Sequence, residues 1–291
     1  MDRLKTFWKE ALVGILVLAN MSVWFLAAEK RPSDFLHVYF LDIGQGDSIF
    51  IDSPTHGRIL LDGGRDRRVL TELGKILPYG DRRIDVMIES HPDADHIGGL
   101  PEVAAQYKVG AFLEPGVESA NTIDNELHAR IAAQGIPDLL ARRNMVVDLG
   151  DGAKLVILFP NQDVSKWDTN DASIVAKLVY GDQSFLLTGD STKKAEYMLL
   201  GLNKDILDST VLKAGHHGSR TSMSLPYAEA VSPEYGVISA GKNNEYGHPH
   251  KETIDTLKRV GAQIVSTEDT PYTTGLGTIE FETDGQNLIL K

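Results

Sequence analysis

The 291-residue sequence contains no cysteine. Disulfide scaffolds, zinc sites built from thiolates and cysteine nucleophiles are therefore excluded, although this absence does not by itself assign a cellular compartment. With 42% hydrophobic residues, the chain is long and apolar enough to bury a substantial core. Histidine, carboxylate and hydroxyl groups are left as candidates for catalysis or metal binding.

The sequence also lacks an excess of positive charge. It has 41 acidic and 29 basic side chains, so its formal net charge is −12 at pH 7. Such a chain has no general electrostatic attraction to nucleic acid or anionic lipid. We find no stripe of basic residues interleaved with aromatic ones, the pattern typical of nucleic-acid grooves. A phosphate-bearing substrate must therefore be held by local features.

Long apolar runs are scarce, and the clearest is the uncharged segment Ala11–Ala28 (ALVGILVLANMSVWFLAA). The basic residues that flank it are Arg3, Lys5, Lys9, Lys30 and Arg31. As a helix the segment would span roughly 27 Å, which nearly crosses a bilayer. Phe25 or Leu26 stands where a signal-peptide cleavage site needs a small residue, which favours an uncleaved anchor.

We therefore expect residues 1–31 to form an N-terminal transmembrane helix, as a membrane anchor or signal segment, and residues 32–291 to form the folded domain. The basic start of the chain would stay in the cytoplasm, so the domain would be membrane-anchored and extracytoplasmic. The alternative is a helix buried in the folded domain, because Asn20 and Ser22 interrupt the apolar run.

After Pro32, strand and helix signals alternate without repeats or low complexity. Strand patterns include Leu36–Ile43, Arg58–Leu61 and Ile84–Glu89, and helical patterns include Leu100–Gln106 and Ile123–Ala133. Strand pairs at the beginning of each half predict an α+β domain, in which two sheets pack face to face and helices cover them. Loops at the strand ends then carry the chemistry.

One such loop, Ser90–Gly99 (SHPDADHIGG), follows the strand Ile84–Glu89 and concentrates histidine and aspartate. Other polar clusters at strand ends are Asn170-Asp171, Thr188-Gly189-Asp190, His216-His217-Gly218-Ser219 and Gly247-His248-Pro249-His250. Metal ions need preorganised nitrogen or oxygen lone pairs, which loops held between strand and helix provide. The first loop alone fits an acidic helix cap, but its combination with the distant clusters favours a metal centre.

The segments HPDADHIGG, LLTGD, AGHHGS, YGHP and FLDIGQGDS resemble the metallo-beta-lactamase superfamily, and more narrowly the hydrolase domain of the ComEC family of DNA-uptake proteins. The resemblance covers roughly Leu36 to Glu282. It implies a four-layer αβ/βα sandwich with a dinuclear metal site at one edge of the paired sheets. There a metal-bridging hydroxide attacks an ester, amide or phosphodiester. The superfamily's general motif is HxHxDH, and Asp93 in place of the second histidine is a ComEC-like departure.

The resemblance also implies a set of metal ligands. His91 and Asp93 should bind the first metal, Asp95 and His96 the second, and Asp190 should bridge both. Asp95 also has a second role, in which it orients the attacking hydroxide.

Two ligand positions remain open. Where the superfamily has a third-motif histidine, this chain offers only Asn170 and Asp171, and we take Asp171. The last ligand is His216 or His248, and the other would donate a proton or contact phosphate. The remaining histidines, interpreted as surface or supporting residues, are His217, His250, His37, His56 and His128.

Carboxylates in place of imidazole make the site harder, which shifts the expected pair of divalent ions from zinc towards manganese without excluding zinc. Two such ions lower the pKa of water from near 15.7 towards about 7, so no protein nucleophile is needed. Groups near the site in sequence that can neutralise charge on a phosphodiester are Lys213, Ser219, Arg220 and Lys242.

Two glycine-containing segments have a different interpretation. Asp42–Ser48 (DIGQGDS) lacks the lysine and the following helix of a phosphate-binding loop, so we expect a tight turn beneath the site. In Asp62-Gly63-Gly64 the glycines would let a loop approach the metal edge, and Asp62 would support a ligand.

The leading hypothesis is a membrane-anchored, metal-dependent phosphodiesterase, a nuclease acting on single-stranded DNA, because the ComEC resemblance implies that activity. The channel and OB-like domains of ComEC-like proteins are not seen in the sequence, so we expect the hydrolase module alone. One alternative is a metallohydrolase that cleaves a small phosphodiester, a lactone or an envelope component. Another is a metal-binding partner protein without turnover.

Overall fold

The computed structural model describes residues 8, 12–18, 20, 21 and 34–291, and only the backbone of Asn203. The chain divides into two units, residues 1–33 and 34–291. In the first unit, residues 12–18 are helical and their side chains are exposed. No helix among the described residues combines the length and the apolar character that a membrane crossing requires. The predicted transmembrane segment Ala11–Ala28 lies largely outside the described residues, so the anchor stays a prediction.

Strands and helices alternate along the second unit. The strands are β1 (Leu36–Phe40), β2 (Ile49–Asp52), β3 (Arg58–Leu61), β4 (Arg83–Ile88), β5 (Lys108–Glu114), β6 (Asp138–Leu140), β7 (Val146–Gly150), β8 (Ala153–Phe159), β9 (Val175–Tyr180), β10 (Gln183–Leu187), β11 (Val211–Lys213), β12 (Tyr235–Ile238), β13 (Gln263–Ser266), β14 (Ile279–Thr283) and β15 (Leu288–Leu290). The helices are α1 (Arg68–Ile76), α2 (Ala94–Ile97), α3 (Leu100–Gln106), α4 (Thr122–Gln134), α5 (Lys193–Asn203), α6 (Leu225–Val231) and α7 (Lys251–Arg259).

The strands form two sheets. One has the order β15-β14-β1-β2-β3-β4-β5-β6, and the other has the order β13-β12-β11-β10-β9-β8-β7. Strands β3 to β6 are parallel to one another, as are β10 to β13, and the other pairs are antiparallel. The carboxyl ends of each parallel set therefore meet at one edge of their sheet, where the loops rich in histidine and aspartate begin.

A buried apolar layer joins the two sheets. Phe281 on β14 packs edge-on against Phe40 on β1 and against Phe185 on β10 of the other sheet, with ring centroids 6.0 and 5.8 Å apart. Helices α1, α3 and α4 pack on the outer face of the first sheet, and α5, α6 and α7 on that of the second. This is the predicted sandwich of two sheets between helical layers.

Three short elements were not expected from the sequence. Helix α2 is a single turn inside the SHPDADHIGG loop, β6 has three residues that are all exposed, and α6 has seven residues and begins at Leu225-Pro226. Helix α2 and strand β6 are too short to show an apolar period, which is the signal that finds helices and strands in a sequence. Neighbouring elements supply their stability instead.

Candidate metal centre

The SHPDADHIGG loop is held close to the sheet by a tight turn. Asp93 O accepts hydrogen bonds from His96 N at 2.9 Å and Ile97 N at 3.0 Å. The turn brings the rings of His91 and His96 together, with centroids 4.1 Å apart. Gly99 lies where a Cβ atom would be 2.3 Å from Gly63 O, so only glycine lets this loop pack on the one after β3.

Asp190, in the loop that follows β10, is the centre of the cluster. Its Oδ1 lies 3.3 Å from His96 Nε2, and its Oδ2 lies 3.4 Å from His217 Nε2. The same Oδ2 is 3.7 Å from His216 Nε2 and 4.0 Å from His91 Nε2. One buried carboxylate therefore faces four imidazoles from two loops.

Two further carboxylates of the first loop complete the cluster. Asp93 Oδ2 lies 3.6 Å from His91 Nε2, and Asp95 Oδ2 lies 3.4 Å from His217 Nε2. Their side chains are 38% and 26% exposed, whereas that of His91 is fully buried. Asp93 and Asp95 thus lie at the mouth of the cluster, where a substrate can approach.

The histidines are oriented from behind by buried carboxylates. Asp62 Oδ2 lies 2.8 Å from His96 Nδ1, and Asp62 also accepts hydrogen bonds from Ser90 N and Ser90 Oγ at 2.7 and 2.6 Å. A carboxylate on the far nitrogen fixes the ring and keeps the other nitrogen directed at a metal position. The structure therefore agrees with the expected supporting role of Asp62.

Asp47 plays the same part for His217, and it was not recognised as a site residue from the sequence. Its Oδ1 lies 3.3 Å from His217 Nδ1, which is also 2.9 Å from Ser239 O. Gly46, at φ +120°, places the DIGQGDS segment where a Cβ would be 2.0 Å from Asp95 O. The predicted tight turn beneath the site is confirmed, and its aspartate supports a histidine.

Residues 41–242 match the family model described as the metallo-beta-lactamase superfamily. The chain belongs to this superfamily. ComE operon protein 3 of Bacillus subtilis is 30% identical over 263 residues, which are 84% of this chain and 32% of that protein. Competence protein ComA of Neisseria gonorrhoeae is 31% identical over 256 residues, 88% of this chain and 34% of that protein. The chain thus spans about a third of the length of these relatives, and the predicted ComEC resemblance is confirmed.

Solved structures share the metallo-beta-lactamase fold. YhfI from Bacillus subtilis, a metallo-beta-lactamase fold protein, has a TM-score of 0.55 at 12% identity and covers 86% of this chain and 99% of its own. Igni18, a metallo hydrolase from Ignicoccus hospitalis, has a TM-score of 0.53 at 15% identity and covers 85% of this chain and 99% of its own. At identities of 12% and 15%, the structural similarity shows a shared fold and not a shared function.

The superfamily implies divalent metals, and the residues present fit them. His91 Nε2 and Asp190 Oδ1 are buried without a hydrogen-bond partner. Ligating atoms of Asp47, His96, Asp190 and His217 lie within 4.8 Å of one another. Five carboxylates form the cluster or contact its histidines from behind, namely Asp47, Asp62, Asp93, Asp95 and Asp190. Among the described lysines and arginines, only Lys213 lies within 4.0 Å of any of them. This excess of negative charge favours bound cations.

The pKa shifts have the same origin. Burial lowers the pKa of His217, but Asp190 and Asp47 outweigh it and raise the pKa to about 9. Burial also lowers the pKa of His96, but Asp190 and Asp62 outweigh it and raise this pKa well above the ordinary value. Burial raises the pKa of Asp190, but the surrounding histidines hold it well below the ordinary value. Positive charge is strongly stabilised at this position, as a metal site requires.

Two other predicted site residues, Asp171 and His248, are not among the side chains that lie within 4.0 Å of Asp190. Both carboxylate oxygens of Asp171 are engaged, Oδ1 by Thr192 Oγ1 and Oδ2 by Lys194 Nζ at 2.9 Å. His248 lies at the margin, with its ring centroid 5.4 Å from that of His216 and 6.2 Å from that of His217. Burial and the neighbouring histidines lower the pKa of His248 to about 4.

The expectation that Lys213 is available to a substrate was wrong. Its side chain is fully buried, and its Nζ lies 2.8 Å from Asp47 Oδ2. His217, interpreted from the sequence as a surface or supporting residue, is not at the surface, because it is buried among Asp47, Asp95 and Asp190. The repeated histidine in AGHHGS was the one sequence signal for this position.

Proposed function

We propose that the protein is a metal-dependent phosphodiesterase, a nuclease whose substrate is single-stranded DNA. The observation that carries the proposal is the convergence of buried, unpartnered lone pairs of His91 and Asp190 beneath two partly exposed carboxylates, those of Asp93 and Asp95. The Ser90 hydroxyl beside His91 is fully buried and donates to Asp62 at 2.6 Å, so it orients Asp62 and does not face the mouth of the cluster. The chain has no cysteine nucleophile.

The distances around Asp190 support two groups of ligands. His91, Asp93 and His216 would hold one divalent cation, and Asp95, His96 and His217 would hold the other, with Asp190 shared. Asp171 is left out of this set, because Thr192 and Lys194 engage its oxygens. Bound divalent cations would supply Lewis acidity and water with a pKa near 7.

The proposed ligand set contains four imidazoles and three carboxylates. Both manganese and zinc accept such a mixed set of nitrogen and oxygen ligands. His248 would contact the leaving oxygen, which is supported by its position beside His216 and by its Nδ1, which has no hydrogen-bond partner. Asp95, at the mouth, would orient the attacking water.

The stacked rings of His248 and Tyr246 beside the site support a nucleic-acid substrate. Tyr246 is 51% exposed, and its ring stacks on His248 with centroids 5.7 Å apart and planes 26° apart. Exposed aromatic rings stack on unpaired bases without sequence preference. The exposed Arg65 follows the Asp62-Gly63-Gly64 turn, where it can contact phosphate. The competence protein among the relatives favours the same substrate class.

The acidic net charge of −12 favours a second candidate, a small phosphodiester. A cavity of about 310 Å³ adjoins His248, and its lining includes Lys242, Asn244 and Thr270. A mononucleotide-sized substrate would need no extended basic groove. The dependence of the cleavage rate on DNA length distinguishes the two candidates, because stacking of bases on Tyr246 favours longer strands.

The proposal also includes location. Residues 1–31 would hold the domain on the outer side of a membrane, supported by the uncharged run Ala11–Ala28 between basic residues. Protease added to intact cells should digest the domain, and carbonate washing of membranes should leave the chain in the pellet. Protection from protease, or release by carbonate, would contradict this location.

The deciding experiment is metal analysis joined to a cleavage assay. The manganese-loaded chain should hydrolyse labelled single-stranded DNA of 5 to 40 nucleotides faster than a chromogenic phosphodiester. Preference for the small ester would favour the second candidate. Metal binding without cleavage of either substrate would overturn the phosphodiesterase proposal and favour a non-catalytic partner protein.

A further inference from the structure

A second cluster of metal-ligand types lies beside helix α4. Glu89 directly follows β4, and Asp124 and His128 are one turn apart on α4, where residues four apart share a face. Each offers one ligating atom within 4.8 Å of the others. Glu89 is only two residues before His91, yet it belongs to a different group of side chains.

The burial of the Glu89 carboxylate without a hydrogen-bond partner indicates a bound ligand. Glu89 is 2% exposed, and its Oε2 has no hydrogen-bond partner. Asp124 is 7% exposed, and its Oδ1 also lacks a hydrogen bond. Two buried carboxylates side by side repel each other and lose their hydration, which costs several kcal/mol unless a positive charge joins them.

His128 is oriented as metal-bound histidines are. Its Nδ1 lies 3.1 Å from Asp138 Oδ2, and its Nε2 lies 3.4 Å from Asp124 Oδ1. When Nδ1–H donates to Asp138, the Nε2 lone pair faces Asp124 and Glu89. Metal-bound histidines commonly have this arrangement, in which one ring nitrogen donates to a carboxylate, here Nδ1 to Asp138, and the other faces the metal, here Nε2 beside Asp124 and Glu89.

We propose that Glu89, Asp124 and His128 bind one divalent transition-metal ion, manganese or zinc, separately from the candidate metal centre. Two carboxylates and one imidazole are ligands that both ions accept. Calcium and magnesium are less suited, because they prefer oxygen ligands throughout.

The site has an entry route and a structural consequence. A cavity of about 750 Å³ is lined in part by Asp124, His128 and Glu114, so an ion can reach the cluster from solvent. Asn121, which caps α4, also donates from Nδ2 to Pro92 O at 2.8 Å. An ion joining Glu89 to α4 would therefore fix the helix against the loop that carries His91.

The test removes the candidate metal centre and counts what remains. The full chain with His96→Ala and Asp190→Ala should still bind one manganese ion, measured by metal analysis and by electron paramagnetic resonance of free Mn²⁺. Adding Asp124→Asn should remove that ion. Adding Glu126→Gln instead, on an exposed part of the same helix, should leave it bound. An ion that persists with Asp124→Asn, or none in the starting variant, would overturn the proposal.

A second measurement does not depend on these variants folding. In the unmodified chain labelled with ¹⁵N-histidine, zinc should move the His128 Nε2 resonance to a metal-bound shift while Nδ1 keeps its proton. Conversely, if His128 stayed doubly protonated at neutral pH with zinc in excess, a proton rather than a metal would neutralise the cluster. That result would also overturn the proposal.

Discussion

Asp47 Oδ2 and Lys213 Nζ form an ion pair at 2.8 Å, and both side chains are fully buried. Burial raises the pKa of Asp47, but Lys213 and His217 outweigh it, so the carboxylate stays ionised. The pair lies directly behind His217, whose Nδ1 is 3.3 Å from Asp47 Oδ1. It joins the turn before β2 to the end of β11 and thereby connects the two sheets at the site edge.

Lys213→Met should lower the free energy of unfolding by about 3–5 kcal/mol, because it removes the nearer of the two cationic partners of the buried Asp47 carboxylate and leaves only His217. Urea unfolding of the metal-free protein measures the change. Asp47→Asn combined with Lys213→Met should regain most of the loss, because neither charge then remains. If the double variant were as unstable as Lys213→Met alone, lost packing rather than the loss of the Lys213 charge beside Asp47 would be responsible.

Asp190→Asn and Asp171→Asn are a matched pair that tests the revised ligand set. Asp190→Asn should reduce bound metal and slow phosphodiester cleavage by about 100-fold or more, because Asp190 faces four imidazoles. Asp171→Asn should keep the metal content, because Thr192 and Lys194 engage its carboxylate. Loss of metal in Asp171→Asn would restore the ligand choice made from the sequence.

Tyr246→Ala should raise KM for single-stranded oligonucleotides by about 5- to 100-fold, the range for one stacked base, with little change in kcat. Cleavage of a small chromogenic phosphodiester should be unaffected, and Tyr246→Phe should behave like the unmodified protein. Steady-state kinetics on both substrates checks this. An equal effect on the small ester would show that Tyr246 supports His248 rather than binding a base.

Tyr39 predicts an alkaline loss of stability. Burial, with Glu280 and Asp52 nearby, raises the pKa of Tyr39 above its ordinary value of 10.0. The stability linked to the neutral phenol is fully present below pH about 10 and is lost as the pH rises further, because the unfolded chain ionises first. Tyr39→Phe should flatten this part of the curve of unfolding free energy against pH. A curve unchanged by the substitution would contradict the assignment.

The chemical character of the site could be predicted because it is encoded locally. The stretch SHPDADHIGG places histidine and aspartate directly after an apolar strand, and Thr188-Gly189-Asp190 places an aspartate after another. Strand and helix periods recur along the chain and predict two sheets covered by helices, which the structure has. Neither inference needs knowledge of contacts between distant residues.

The selection among equivalent residues depended on the tertiary structure. His216, His217 and His248 are alike in sequence, yet only His217 is buried among Asp47, Asp95 and Asp190. Both His216 and His217 have a left-handed backbone, at φ 50° and 53°, so the position of the His217 ring also depends on partners from other strands and loops. Such backbone geometry and long-range contacts leave no periodic signal in a sequence.

Tertiary contacts also determine the environments of Lys213, Asp171 and Glu89. A lysine next to a site motif looks available to substrate, an aspartate at the third-motif position looks like a ligand, and a glutamate ending a strand looks structural. Asp47, Thr192 and Asp124, which decide their environments, lie 166, 21 and 35 positions away in the chain. Residue type determines which bonds a side chain can form, and folding brings together the partners with which it forms them.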